Sequence, residues 1–273
     1  MTTTPPTGDN PNLAPLVTFG AVAVTTGLVL LTAYQVLGLP ADPFVLLTLL
    51  LGLILPAVIL VRRDPTTSGR QLLLDCLRPS RPVLLTVPAL VAIPGLTALV
   101  AHGLGVGTPV TSDLVVALAT DIVTSILIVN LWEEMAWTGF FQRRAMARWG
   151  LVLGSIVTAV LFAAVHLPLA FDGADGALDV LEQVGYLLLA GVGLRLLVAG
   201  FDVWSRRSLL TVAVLHASFN AAADVVEPSH DAIRYVVTLG LGVLVLLTPA
   251  RHAYSPTRNR PLVGTDKELV DDH

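Results

Sequence analysis

The chain has 273 residues, of which 54% are hydrophobic and only 13% are Asp, Glu, Lys or Arg. A soluble globular domain carries about a quarter charged residues, and the mean hydropathy here is +0.78. These values exclude a soluble enzyme, a disordered chain and, with Cys76 the sole cysteine, a disulfide-stapled secreted domain. The formal net charge of −4 carries no information on nucleic acid, because the basic residues lie along one membrane face. No nucleic-acid partner is expected. The composition points instead to an all-α, polytopic integral membrane protein with about eight transmembrane helices.

Residues 1–13 contain no Lys or Arg, so they lack the charged start of a signal peptide and read as a disordered cytoplasmic tail. The first apolar run, 14–39, is too long for a signal core and reads as a retained span. Further runs follow at 44–61, 83–102, 114–142, 151–170, 178–200, 208–226 and 232–250. Proline and glycine punctuate the gaps, notably Pro40, Pro43, Pro79, Pro82 and Pro228. The short segment 71–77 reads as an amphipathic surface helix. Residues 14–250 form one transmembrane domain in this reading, and 251–273 a polar cytoplasmic tail.

Arg62, Arg63, Arg70, Arg78 and Arg81 follow the second run; Arg143, Arg144 and Arg148 the fourth; Arg206 and Arg207 the sixth. Arg251, Arg258, Arg260 and Lys267 follow the eighth, whereas the alternate loops are acidic or neutral apart from Arg234. By the positive-inside rule both termini face the cytoplasm of a plasma-membrane protein whose immediate partner is the lipid bilayer.

Ionisable groups inside such spans are costly and usually face a cavity. Glu133 and Glu134 lie in the stretch 132–144, and Glu133 falls roughly 15 Å from Arg143 at a helical rise of about 1.5 Å per residue. Adjacent helix positions point about 100° apart, which divides the pair into one working and one anchoring carboxyl. His166 stands on the next run. His216 and Asn220, four residues apart, share a helix face on another. A carboxylate with two imidazoles can activate water directly or through a bound metal. Rival readings are a structural histidine, interhelical hydrogen bonding by His216 and Asn220, and a proton-coupled transporter using the buried carboxylates.

Taken together, Glu-Glu-x-x-Trp-x-Gly at 133–139, Phe-x-x-x-His at 162–166 and His-x-x-x-Asn at 216–220 resemble the three motifs of the CAAX protease and bacteriocin-processing family of intramembrane endopeptidases. The likeness covers roughly 110–230. It implies helices around a polar catalytic cavity open to the cytoplasm or membrane. It also implies a peptide or protein substrate such as a prenylated CAAX tail or a bacteriocin leader. By position, Glu133 would activate water with His166, His216 and Asn220 would orient it and stabilise the oxyanion, and Glu134 would hold its helix in place. Thr138 departs from the pattern, which commonly has arginine before the glycine; Arg143 and Arg144 are the candidates to replace it. A non-catalytic immunity or scaffold relative is the alternative that this departure raises.

The cofactor is left open, with zinc the candidate. Two histidines and a glutamate could form a three-ligand site, yet the His-Glu-x-x-His pair of typical zinc proteases is missing and no cysteine is near. Of the remaining features, Arg195 is expected to snorkel to the cytoplasmic side and Asp224 to sit at the outer interface. Trp132 and Trp137 either shape a substrate groove or fill space between helices.

Overall fold

In hydrocarbon each apolar run must close its own backbone hydrogen bonds, which leaves helices as the available form. The computed structural model describes residues 13–63, 68–78 and 83–254; most of the expected tails lie outside these residues. Helix α1 is Ala14–Leu37. Helix α2, Ala41–Arg63, includes a π-helical stretch at Thr48–Ile54. The short α3 is Gly69–Leu77 and α4 is Thr86–Gly103. The segment Ser112–Val165 is divided at Gly150 into α5, 112–149, and α6, 151–165. Then come α7, Ala177–Trp204; α8, Leu209–Ala221; and α9, Ala232–Val245. Among the described residues there is no β-strand, only an isolated bridge between Gly107 and Val226. The protein is an all-α polytopic membrane protein.

Each of the eight apolar runs lies on helix, but among the described residues five helices are long and apolar enough to cross a membrane. One of the five is the whole 54-residue stretch Ser112–Val165, and Leu209–Val225 is a shorter apolar helix. A basic loop over 143–150 is not formed. The helix carries on through Arg143 and turns at Gly150, whose φ of 81° and ψ of 168° lie in a region open essentially to glycine. Gly154 tightens the corner, since a Cβ there would stand 2.5 Å from the Met146 nitrogen.

Two buried clusters meet along α8. One joins α1, α2, α3 and α5 through Phe19, Trp137, Phe140 and Phe141; the other joins α4, α7 and α9. Helix α8 enters both: Leu209 and Ala213 pack in the first, Val212, Leu215 and Phe219 in the second. Its sequence is apolar on every side, so it takes the central position, and the polar groups it carries there must find partners. Large apolar residues such as Val29, Val152 and Val160 remain exposed on the outer helices, as lipid contact requires.

Helix α3 forms much as expected, but its inner face packs on protein. It buries Leu72, Asp75 and Cys76. Asp75 accepts from Arg143 Nη1 at 2.7 Å, while Arg143 also grips Asp202, with Nη2 2.6 Å from Oδ1. The hydroxyl of Tyr254 donates to the same Asp202 at 3.4 Å. Burial, and then the negative charge of Asp202, push that phenol up to about 12. Arg143 is therefore a buried tie between α3, α5 and α7, not a residue of an exposed basic loop.

Candidate active site

The two carboxylates of α5 take different environments, as adjacent helical positions must. Glu134 is fully buried and Glu133 is 7% exposed. They sit in a single α-helical turn, Leu131–Glu134, between π-helical stretches at Ile126–Asn130 and Met135–Gln142. Such π-turns are frequent at functional sites.

Glu134 is held on three sides. Arg195 of α7 donates through Nη1 to Oε2 and through Nη2 to Oε1, both at 2.9 Å. Thr138, one turn along α5, donates its hydroxyl to Oε2. His216 Nδ1 lies 2.7 Å from Oε1. A guanidinium-bound carboxylate can only accept, so the Nδ1 hydrogen of His216 points at Glu134. A neutral ring then has its lone pair on Nε2.

His166 reaches the same tautomer by another route. Helix α6 stops at Val165 because Pro168 cannot extend it, and the His166 amide bonds the Ala163 carbonyl. The Phe162 carbonyl is left as an end-of-helix acceptor, and His166 Nδ1 takes it at 2.8 Å. Two imidazoles from different helices thus each commit Nδ1 to a fixed acceptor.

Glu133, His166, His216 and Asn220 line one cavity of about 410 Å³, and Glu134 stands behind its wall. Asn220 is the exposed member of α8. Glu133 Oε2 lies 4.0 Å from His216 Nδ1. Apolar walls come from Leu31, Val45, Leu49 and Leu53, and polar ones from Gln183, Tyr186, Arg234 and Tyr235. Arg234 braces the end of α8: its Nη1 donates to the Phe219 carbonyl at 3.0 Å and to that of Asn220 at 3.4 Å.

Arg195 is the main correction to the sequence reading. It does not snorkel; its side chain is fully buried against Glu134. It also supplies the ion pair that Thr138 cannot, while Arg143 is occupied by Asp75 and Asp202 and Arg144 donates to the Phe140 carbonyl. The available signal was depth: Arg195 is eleven residues from Arg206, roughly 16 Å of helix, too far for an easy reach to water. Phe162, quoted in the second motif without a role, is the shared wall of the site. Its ring lies 4.6 Å from the His166 ring, 5.8 Å from that of His216 and 4.4 Å from the Arg195 guanidinium. Trp137 is core, edge-on to Phe19 and Phe162, and Trp132 is exposed with its indole donating to the Leu127 carbonyl. Neither tryptophan lines the cavity. Asp224 is exposed, beyond the end of α8.

The three-ligand zinc arrangement does not fit these positions. Among the described residues no three His, Cys, Asp or Glu side chains stand close enough to share an ion, and the carboxylate nearest His216 is already bound by Arg195. The metalloprotease reading therefore has no support from the donor set.

Residues 115–222 match the family model described as Rce1-like, type II CAAX prenyl endopeptidase Rce1-like. The matched segment takes in most of α5 and the whole of α6, α7 and α8, and with them all five candidate site residues. No curated protein matches the chain.

Proposed function

We propose that this chain, a member through residues 115–222 of the Rce1-like type II CAAX prenyl endopeptidase family, hydrolyses peptide bonds by activating water beside Glu133. The observation that carries the reading is the cavity itself. Glu133, His166, His216 and Asn220, from three helical segments far apart in sequence, line one space walled largely by apolar helices.

In this mechanism the Glu133 carboxylate takes a proton from a water molecule whose other hydrogen is accepted by an imidazole Nε2. His166 serves this orienting role, with His216 presenting a second Nε2 lone pair beside it, because their Nδ1 hydrogens are already given to Phe162 and Glu134. The hydroxide attacks the scissile carbonyl carbon. Its oxygen takes up the electron pair, and the Asn220 amide donates to that oxyanion. Collapse of the tetrahedral intermediate breaks the carbon–nitrogen bond, and the proton held on Glu133 passes to the leaving amine. Glu134, pinned by Arg195 and Thr138, keeps His216 in place and takes no proton. The sequence-based reading gave His216 a share of the oxyanion; in this proposal that task is assigned to Asn220.

The chain is proposed to lie in the plasma membrane with both termini in the cytoplasm, as the arginine distribution argues. The family description makes a prenylated C-terminal peptide the first substrate to test, with a bacteriocin leader second. The test compares peptides released by membranes holding equal amounts of wild type and Glu133→Gln. The amide cannot act as a base, so cleavage should fall by about 10²–10⁴-fold while the protein stays folded in the membrane. Cleavage retained by Glu133→Gln refutes the mechanism. Transport of a solute by vesicles that release no peptide would favour the transporter reading instead.

A further inference from the structure

Among the described residues, the non-glycine positions with positive φ are Arg206, at 56°, and Arg207, at 68°. They are consecutive and form the connection between α7 and α8. Left-handed backbone is easy for glycine and costly for a long side chain. The turn itself needs no arginine side chain. Arg206 N donates to the Val203 carbonyl at 3.2 Å and Arg207 N to the Asp202 carbonyl at 2.7 Å. The two strained carbonyls are gripped in turn, Arg206 O by Arg78 Nη1 at 3.4 Å and Arg207 O by Arg143 Nη2 at 2.9 Å. Glycine would make all four of these contacts. Backbone strain held in place by its surroundings points to a use elsewhere, and here that use must lie in the side chains.

Both side chains are exposed, and neither meets a carboxylate among the described residues. Arg78 stands beside them, its carbonyl fastened to the α8 N-cap by the Ser208 hydroxyl at 2.6 Å. Arg78 Nη2 pairs with Asp75 at 3.3 Å and Arg143 is shared between Asp75 and Asp202, so the charges of Arg206 and Arg207 leave this corner net positive among the described residues. Immediately next to it α3 turns Leu73, Leu74 and Leu77 outward at 53%, 42% and 75% exposure. Exposed leucines abutting exposed arginines mark the level at which hydrocarbon gives way to phosphate.

We propose that Arg78, Arg206 and Arg207 bind the phosphate of an anionic phospholipid whose acyl chains lie on Leu73, Leu74 and Leu77. Guanidinium groups suit the ligand because their planar donors match phosphate oxygens in pairs. The site stands apart from the cavity, and its occupancy does not depend on whether the chain cleaves peptides. Bound lipid would clamp α3 against the α7–α8 turn, on the outer side of the Arg143 tie.

The test is thermal unfolding of the full chain in a neutral detergent, with phosphatidylglycerol or phosphatidylcholine added at matched concentrations. At a hundredfold excess over Kd, phosphatidylglycerol should raise the midpoint by roughly 5–10 °C, and phosphatidylcholine should not. The double variant Arg206→Gly with Arg207→Gly relieves the backbone, so without lipid its midpoint should equal or exceed that of wild type. With phosphatidylglycerol it should lose most of the increment. Should this variant not fold, Arg206→Asn with Arg207→Asn, which tolerates the same backbone, serves the same comparison. An increment that survives these substitutions, or that phosphatidylcholine reproduces, overturns the proposal. So does an equal increment from inorganic phosphate alone, which would make the ligand a soluble anion, or from an acidic peptide, which would make the corner a protein contact.

Discussion

Replacing Arg195 with methionine keeps the length and apolar bulk of the side chain and removes the charge that balances Glu134. Both side chains of this pair are at 0% exposure, and the two bonds between them measure 2.9 Å. Stranding one member of a buried ion pair costs about 3–5 kcal/mol. Thr138 and His216 still donate to the carboxylate, which favours the lower end of that range. Loss of the guanidinium from the Phe162 ring adds up to about 2 kcal/mol in a desolvated setting. For a chain of this size each kcal/mol moves Tm by roughly 2–4 °C, so Arg195→Met should unfold about 10 °C early in detergent. Adding Glu134→Gln removes the stranded charge, and the double variant should recover to within about 2 kcal/mol of wild type, a clear departure from additivity. Its peptidase activity should stay depressed, because His216 has lost its ionised acceptor. A loss below about 1 kcal/mol in the single variant, or a double variant whose loss is the sum of the two singles, would refute the reasoning.

Two further outcomes test the surroundings. Gly150→Ala places a Cβ at φ 81° and ψ 168°, so it should cost about 1–3 kcal/mol in an unfolding titration; an unchanged midpoint would mean that the α5–α6 corner is not held there. The thiol of Cys76 is pushed up to about 11 from its ordinary 9.0, chiefly by burial and then by Asp75, with Arg143 opposing. Near pH 8 its thiolate fraction is about a hundredfold below that of an ordinary thiol, and labelling of the native protein should be slower by at least that factor than after unfolding. Because the folded state holds this proton more tightly, its contribution to stability is intact below pH 9.0 and is lost as pH rises through about 11. Native labelling at the rate of an unfolded thiol would contradict the burial.

Composition and span length made the membrane class legible, because hydrocarbon leaves the backbone so few options. The cavity residues were legible for a related reason: Glu133, His166 and His216 interrupt runs in which a polar group needs a purpose. Charge pairing between helices was not. Arg143 reads as a solvated loop residue until Asp75 and Asp202, from segments 68 and 59 positions away, are brought beside it. Arg195 was open to the same misreading: its eleven-residue distance from Arg206 argues against snorkelling, but nothing in the sequence names Glu134 as its partner. Phe162 carried no visible signal either, because an aromatic residue on an apolar helix usually means packing alone. The corner at Gly150 was hidden by the arginines around it, which imitate a loop.

The exchange of Thr138 and Arg195 around one carboxylate bears on how a site of this kind can change by descent. Glu134 needs one cation, and this chain draws it from Arg195 of α7, whereas an arginine before the glycine would offer one from its own helix. A chain with arginine at neither position strands a negative charge, and one with arginine at both must bury a surplus positive charge in the same space. The residues at 138 and 195 are therefore best compared across relatives as one two-letter character, and a search that demands arginine before the glycine discards chains whose charge balance is intact.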